Sequence, residues 1–495
     1  MLSRKETSLS PSPDQHHSVD NEHLYQAIAQ EMAKAICGGT FAAGARLPSV
    51  RKLAKRHSIS AATATKVYQV LEDSGLLETR PRSGYYVRDR SSKCATEPSI
   101  SRPPGEPNHP INVQIVLRVQ QLVTQPGVLS LGVTSDPAPI LLPTKAMGKI
   151  FAGVARSAAS QSSTYSYPYG HVDLRTQIVK CMSDAGCYLT TEDIIVTSGC
   201  QSALVLALRA VTKAGDTVAI ESPTFVGVPH LFAVLGLKAL EIPTHPSTGI
   251  DIDALQLALS RHPVKACLLM PSCQSPLGAS MPESSKRRLV KLLARAAVPL
   301  IEDDVLGDLT FERPRPKPAK AFDQDGNVLY CTSFSKVLGP GLQVGWIAPG
   351  RYRDLTAYLH NVLHSMSSPV WQQLGMAEFL AGGSYTRTVN RIVRAYQKRV
   401  NTMRQWVLDY FPQGTLVTNP QGGYILWVEL PESIDVDELL RRAIELGIGF
   451  APGMHFSPSW CYTHHIRLGC GGSLDWNKYE PAVAAVGKLA RELVR

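Results

Sequence analysis

An α/β fold in two unequal parts is the class this sequence predicts: a small helical module with a hairpin, then a large, mostly parallel sheet covered by helices. Three observations predict it. Between Met32 and Leu71, short amphipathic helical stretches carry seven Lys or Arg and no acidic residue. Residues 91–110 then hold five prolines and break all hydrophobic periodicity. Beyond residue 115, short β-rich runs alternate with amphipathic stretches, the pattern of parallel strands joined by crossover helices.

The chain has 495 residues, 44% hydrophobic and 19% charged, with a formal charge of +10. Such a composition excludes a fibrous or mainly disordered protein, and the positive charge favours an anionic partner. Ten cysteines include no C-x-x-C pair and no His/Cys cluster at zinc spacing, so no disulfide framework and no metal is expected, and a cytoplasmic location fits. No apolar run suggests export or membrane insertion. The expected organisation is a disordered tail over 1–20, a compact domain over 21–90, a linker over 91–114 and a large domain over 115–495. Its last part, from about 385, reads as a smaller α+β subdomain. A flexible linker of twenty residues would span on the order of 25 Å.

In the first domain, HLYQAIAQEMAKAICGG is an amphipathic helix stopped by two glycines. Ser49 caps a short helix, VRKLAKRH, a tight turn comes at Ser58–Ser60, and AATATKVYQVLEDSG forms a third helix with small polar side chains at its start. LLETRPRSGYYVRD then makes a hairpin with a basic tip. Helix, turn, helix and wing in this order, under a local positive field, point to phosphate contacts on double-stranded DNA. LPSVRKLAKRHSISAATATKVYQVLEDSGLLETRPRSGYYV resembles the GntR-type winged helix-turn-helix. The resemblance implies that Arg51 and Lys66 contact phosphates or base edges, that Ser60, Thr63 and Thr65 face the major groove, and that Arg80, Arg82 and Gly84 bring the wing to the minor groove. Where many family members place an arginine, this sequence has Ala61-Ala62, so bidentate Arg-to-guanine reading is missing there.

In the second domain the runs DIIVTS, DTVAIESP, VKACLLMPS, PLIEDDV and VLYCTSFS read as strands, and QSALVLALRAVTK and ESSKRRLVKLLARAA as helices. Lys336 comes just after VLYCT, and a lysine at the mouth of a buried strand is desolvated toward Schiff-base chemistry. Asp303, at another strand end, suits a pyridinium nitrogen. Ser198, Gly199, Cys200 and Gln201 open a helix whose amides can hold a phosphate, and the hydroxyls of Ser333 and Ser335 stand beside Lys336 for the same group. Phe225 is placed to stack on a ring. In this order and spacing the residues resemble fold-type I aminotransferases, with large and small domains, over about 370 residues. That resemblance implies pyridoxal phosphate as cofactor, Tyr165 reaching a neighbouring subunit's cofactor, and Arg467 as the substrate-carboxylate arginine. Three positions depart from the family. Ser275 stands for an Asn and Leu306 for a Tyr that bond the cofactor's phenolic oxygen, and Gln343 for an Arg that pairs with its phosphate. Each lost hydrogen bond to a charged group is worth roughly 1.5–3 kcal/mol.

The whole chain resembles the MocR subfamily of GntR regulators. The resemblance implies a homodimeric transcription regulator that binds an operator through its winged helices and senses pyridoxal phosphate or an amino compound in its aminotransferase-like domain, with little or no transaminase turnover. The alternatives are an active aminotransferase with an accessory DNA-binding domain, and a regulator that has lost the cofactor and senses another anionic metabolite. The basic row Arg387, Arg391, Arg394, Lys398 reads as a solvated helix face, and His455, His464 and His465 as ordinary polar residues without a carboxylate at ligand spacing.

Overall fold

The computed structural model describes residues 25, 28–29, 31–33, 35–36, 40–42, 44–73, 76–80, 83–87, 97–110, 113–132, 141–158, 160, 169–363, 369–472 and 476–494. The chain divides into two compact units, Met1–Cys94 and Ala95–Arg495. The expected disordered tail, Tyr165 and Arg82 lie outside the described residues.

In the first unit Ser49 caps the helix Val50–Arg56, its Oγ accepting from the Lys52 amide. The helix Ala61–Asp73 comes after a turn in which Ser58 takes a left-handed conformation. Strands Leu77–Arg80 and Gly84–Val87 pair antiparallel with Leu77 opposite Val87 and Arg80 opposite Gly84. Residues 44–47 add hydrogen bonds along the outer edge of this hairpin, including Leu47 N–H to Tyr85 O and Val87 N–H to Ala45 O, both 2.9 Å. Ile28, Met32, Leu53, Val67, Tyr68, Leu71, Leu77 and Val87 make one core. Tyr68 joins its parts: its ring stacks on Tyr85 at 4.4 Å and its hydroxyl donates to Pro48 O, while burial pushes its pKa up to about 12.

The second unit is built on an eight-stranded sheet. In spatial order the strands are Ile195–Thr197, Gly345–Ala348, Val328–Ser333, Leu300–Asp303, Val264–Leu269, Thr217–Ser222, Lys238–His245 and Gly249–Ile250. The five from Val328–Ser333 through Lys238–His245 run parallel, and Gly345–Ala348 is antiparallel to both its neighbours. Most of these strands are buried along their whole length, as a sheet covered on both faces requires. The expected helices appear as Cys200–Val211 and Glu283–Arg295.

A second sheet, Leu416–Val417, Ile425–Glu429, His465–Gly469 and Ala451–Pro452, forms the small subdomain behind the long helix Tyr385–Tyr410. It also recruits a distant segment: Leu129–Ser130 pairs in parallel with Ile448–Gly449, and Val123 of the helix Val113–Val123 joins the same core. The subdomain is therefore not confined to the chain beyond 385.

The expected linker over 91–114 needs correction. Residues 97–110 are docked on the second unit, and the helix Val113–Val123 begins inside the expected range. Gly249–Ile250 pairs with only Thr244 and His245, which leaves the rest of Lys238–His245 an open edge. Asn108 closes part of it with a bridge to Ala239, whose two N–H···O bonds are 3.0 and 2.7 Å. Ser101 adds bonds to Thr244, and Asn108 Nδ2 donates to Ser459 Oγ. Unsatisfied edge groups, which composition does not reveal, hold this proline-rich strap down.

Candidate cofactor pocket and DNA-facing helix

The pocket residues gather at the carboxyl ends of the parallel strands, where an open α/β sheet presents its ligand-binding groups. Strand alternation sorts the acidic run at the end of Leu300–Asp303. Asp304 turns into the core, where its Oδ2 accepts from Arg315 at 2.5 Å and from the Tyr330 hydroxyl at 2.7 Å. Arg315 also holds Asp308, to which Tyr385, at the start of the long helix, donates. Asp303 turns the other way. It is 3% exposed, and its Oδ1 accepts from the Val305 amide at 3.0 Å and the Cys200 thiol at 3.4 Å. Burial raises its pKa to about 6, opposed by the Lys336 charge. Asp303 and Lys336 are thus electrostatically coupled.

Lys336 lies in the short helix Ser335–Leu338 directly after Val328–Ser333, so Ser333 and Ser335 flank it. On the other side Gly199, at φ +105°, turns the chain into Cys200–Val211, leaving Ser198 and Gln201 exposed at the helix mouth. The antiparallel strand passes so near that a Cβ on Gly345 would meet the Gly199 backbone within 2.6–2.7 Å. Phe225 stands half-buried in the turn after Thr217–Ser222.

Arg467 sits mid-strand opposite Trp427, buried, with Phe456 against its guanidinium at 5.0 Å. One Nη donates to Gly132 O, while Nε is buried without a hydrogen-bond partner among the described residues. Burial lowers its pKa to about 10. An unpaired guanidinium N–H in a buried site is costly unless an anion completes it. With Asp303 raised and Lys336 in its field, these two residues fit a ligand with a basic ring nitrogen and an aldehyde.

The departing positions differ in setting. Ser275 is buried in the loop 271–280. Leu306 is 4% exposed and packed in the main core. Gln343 is exposed in a left-handed conformation at φ 48°. Two pocket features escape sequence reading. Cys200 offers more than the expected backbone amide: its thiol also donates to Asp303, and burial raises its pKa well above the usual range. Glu221, whose pKa burial raises to about 8, accepts from Met270 N–H at 2.8 Å and is coupled to the Asp303 charge. No local motif marks either residue, because the folded sheet brings the Cys200 thiol onto Asp303 and Glu221 into the field of its charge.

On the DNA-binding unit, Ala61, Ala62, Lys66 and Gln69 lie along one face of the recognition helix with Thr65 beside them, and Arg51 is exposed on the preceding helix. Thr63 corrects the sequence expectation: it is 7% exposed, its hydroxyl 2.7 Å from Ser60 Oγ. Ser60 acts as the helix cap, accepting from Thr63 N–H at 3.0 Å, so Thr63 is spent on the turn, while Ser60 itself stays exposed. Gln69, one turn beyond Thr65, is a further candidate that helical periodicity could have found. Arg80 pairs with Glu78 at 2.7 Å and lies over the Tyr86 ring at 4.4 Å. Gly84, at φ +113°, makes the wing turn.

A cofactor pocket of aminotransferase type, joined in one chain to a winged helix-turn-helix, defines a DNA-binding regulator built on an enzyme scaffold. The chain belongs to the family "Aminotransferase class I and II", which matches residues 133–486, and residues 24–87 match "Bacterial regulatory proteins, gntR family". It is 37% identical over 466 residues to the uncharacterized HTH-type transcriptional regulator YjiR of Escherichia coli, covering 94% of this chain and 98% of that one. It is 30% identical over 356 residues to aromatic-amino-acid aminotransferase 1 of Thermococcus litoralis, covering 70% and 84%. The second unit resembles the crystal structure of kynurenine aminotransferase from Pyrococcus horikoshii, with TM-score 0.71 and 26% identity over 77% of this chain and 95% of that one. The architecture is that of the MocR regulators, and it supports pyridoxal phosphate as the cofactor.

Proposed function

We propose that this regulator works as a homodimer on a double-stranded operator and reads the level of an amino compound bearing a carboxylate, with pyridoxal phosphate as the group that meets the amine. The observation that carries the reading is Arg467, buried in the domain that also holds Lys336 and Asp303, its Nε without a hydrogen-bond partner among the described residues. When bound, pyridoxal phosphate supplies an aldehyde that reacts with amines and an electron-withdrawing ring. Lys336 is the amine in place for that aldehyde. Asp303 would hold the ring nitrogen, Phe225 would stack on the ring, and Ser198, Gly199, Cys200, Gln201, Ser333 and Ser335 would hold the phosphate. Arg467 orients the effector's carboxylate. Ser275, Leu306 and Gln343 supply fewer polar contacts than the family's residues, which supports regulation with little turnover.

Self-association is supported by apolar side chains left exposed on the second unit, among them Ile115, Leu117 and Leu122 on one helix and Tyr358 and Val362 on another. Two DNA modules on one dimer would bind avidly through effective concentration. Arg51 and Lys66 supply phosphate contacts, Ser60 and Thr65 face the major groove, and Arg80, Arg82 and Gly84 bring the wing to the minor groove. A cytoplasmic setting accords with this role. The deciding experiment measures binding of purified protein to DNA upstream of its own gene, with and without pyridoxal phosphate and a panel of amino acids. A salt-dependent affinity that shifts with one amino compound is expected. Failure to select any motif from random DNA would remove the operator, and rapid transamination would put the enzyme reading first, an outcome the retained Lys336, Asp303 and Arg467 keep open to test.

A further inference from the structure

We infer that Glu429, His464 and His465 form a binding site for a divalent transition-metal ion of the zinc class, at the end of the small-subdomain sheet. The three donor groups come together from two strands. Glu429 stands directly opposite His465 in the antiparallel pair, and Leu430 N–H bonds to His464 O at 2.9 Å, so the backbone fixes all three positions. One carboxylate oxygen is 3.6 Å from His465 Nε2 and the other 4.0 Å from His464 Nε2. One donor atom from each residue lies within 4.8 Å of the other two.

Ligands about 2.0–2.2 Å from a tetrahedral zinc stand roughly 3.3–3.6 Å from one another. The observed spacing therefore has to close by roughly an ångström, within reach of small rotations of the half-exposed His464 and Glu429. His465 is held more firmly, against Trp427 at 5.4 Å and edge-on to Tyr462 at 5.2 Å, so little order must be imposed on binding. One side of the cluster faces solvent, with side-chain exposures of 25% for His464 and 26% for Glu429, which leaves a path for the ion and room for water as a fourth ligand. Two imidazoles and one carboxylate select zinc, cobalt, nickel or copper over magnesium and calcium, which prefer oxygen. Sequence spacing hid the cluster, because the carboxylate comes from the neighbouring strand. His465 lies two residues from Arg467 on the same strand.

The test is titration of metal-stripped full-length protein with Zn²⁺ by calorimetry and with Co²⁺ by visible absorption. One equivalent per chain is expected, with a Co²⁺ spectrum lacking thiolate charge-transfer bands. Glu429→Gln and His464→Gln should each weaken Zn²⁺ binding at least tenfold while leaving the metal-free melting temperature near that of the wild type. A variant replacing the tail pair His16 and His17 should bind as the wild type does. The inference is overturned by the lack of saturable uptake, by a sulfur-ligand cobalt spectrum, or by affinity unchanged in both Glu429→Gln and His464→Gln.

Discussion

The two units hold their working charges in opposite ways. On the DNA-binding unit Arg51 is exposed, and Arg80 is half-exposed against an acidic neighbour. In the aminotransferase domain Asp303 and Arg467 are buried, and burial displaces both pKa values. An exposed charge is screened by salt and contributes little alone, so DNA affinity has to be a sum of small equal parts. A buried charge is costly until its partner arrives, so one side chain can decide whether a ligand binds. A single substitution should therefore be severe in the pocket and mild on the DNA face.

The severest case is Lys336→Ala. Covalent capture of pyridoxal phosphate should vanish, read as loss of the protein's visible cofactor absorbance; an unchanged spectrum would remove Lys336 from the site and break the comparison at its strongest point. Arg467→Ala comes next. Truncating one partner of a buried charge pair costs about 2–5 kcal/mol, so affinity for a carboxylate-bearing effector should fall by a factor of about thirty or more, as read by calorimetry. Esters of the same amino compounds should lose less, because they bring no carboxylate.

A pH dependence sharpens the same point. Asp303 is protonated in the free protein below about pH 6, whereas a protonated ring nitrogen needs its carboxylate. Cofactor affinity should be full above that value and fall as pH drops through it. Pyridoxamine phosphate, which Lys336 cannot capture, is the right probe, measured by fluorescence. For the fold the sign is reversed. Asp303, Glu302 and Glu221 have pKa values raised to about 6, 7 and 8, so their contribution is present below the ordinary carboxylate range and is lost as pH rises through those values.

Gln343→Arg tests an exposed position inside the buried site. Because Gln343 is open to solvent, an arginine has room to reach the phosphate, and about a tenfold gain in cofactor affinity is expected from one charge-assisted bond. Leu306→Tyr is less informative than its place in the sequence suggests, since Leu306 is packed in the core and a larger ring there brings overpacking strain.

Legibility in the sequence obeys the same division. Periodicity and caps place the helices Val50–Arg56 and Ala61–Asp73 and the wing, because those are local. Lys336, Asp303 and Gly199 are legible because each sits at a strand end inside a contiguous motif. The Cys200 thiol on Asp303, the Gly132 carbonyl on Arg467 and Glu429 beside His465 are not, because each pair is joined only by the folded sheet. Residues 97–110 look like a free linker for the same reason: the edge that binds them lies more than a hundred residues away.

The smallest effects belong to the DNA face, and they separate turn from groove. Ser60 caps the recognition helix through the Thr63 amide, so Ser60→Ala should destabilise the first unit by about 1 kcal/mol, read as a lower melting temperature of that transition. Thr63→Val keeps the volume but removes a hydroxyl that bonds to Ser60, and should also act on stability while leaving sequence preference in place. Arg51→Ala and Lys66→Ala should do the opposite, lowering the slope of log affinity against log salt by about 1 each, with stability unchanged for Arg51→Ala and lowered by about 0.5–1 kcal/mol at most for Lys66→Ala, whose ammonium lies over the Tyr25 ring at 5.3 Å. Thr65 and Gln69 lie on the outer face, and their replacement by Ala should change which operator bases are preferred. If Thr63→Val shifts base preference at constant stability, the buried assignment of Thr63 is wrong. The recognition helix would then meet DNA with a different face from the one defined by Ala61, Thr65, Lys66 and Gln69.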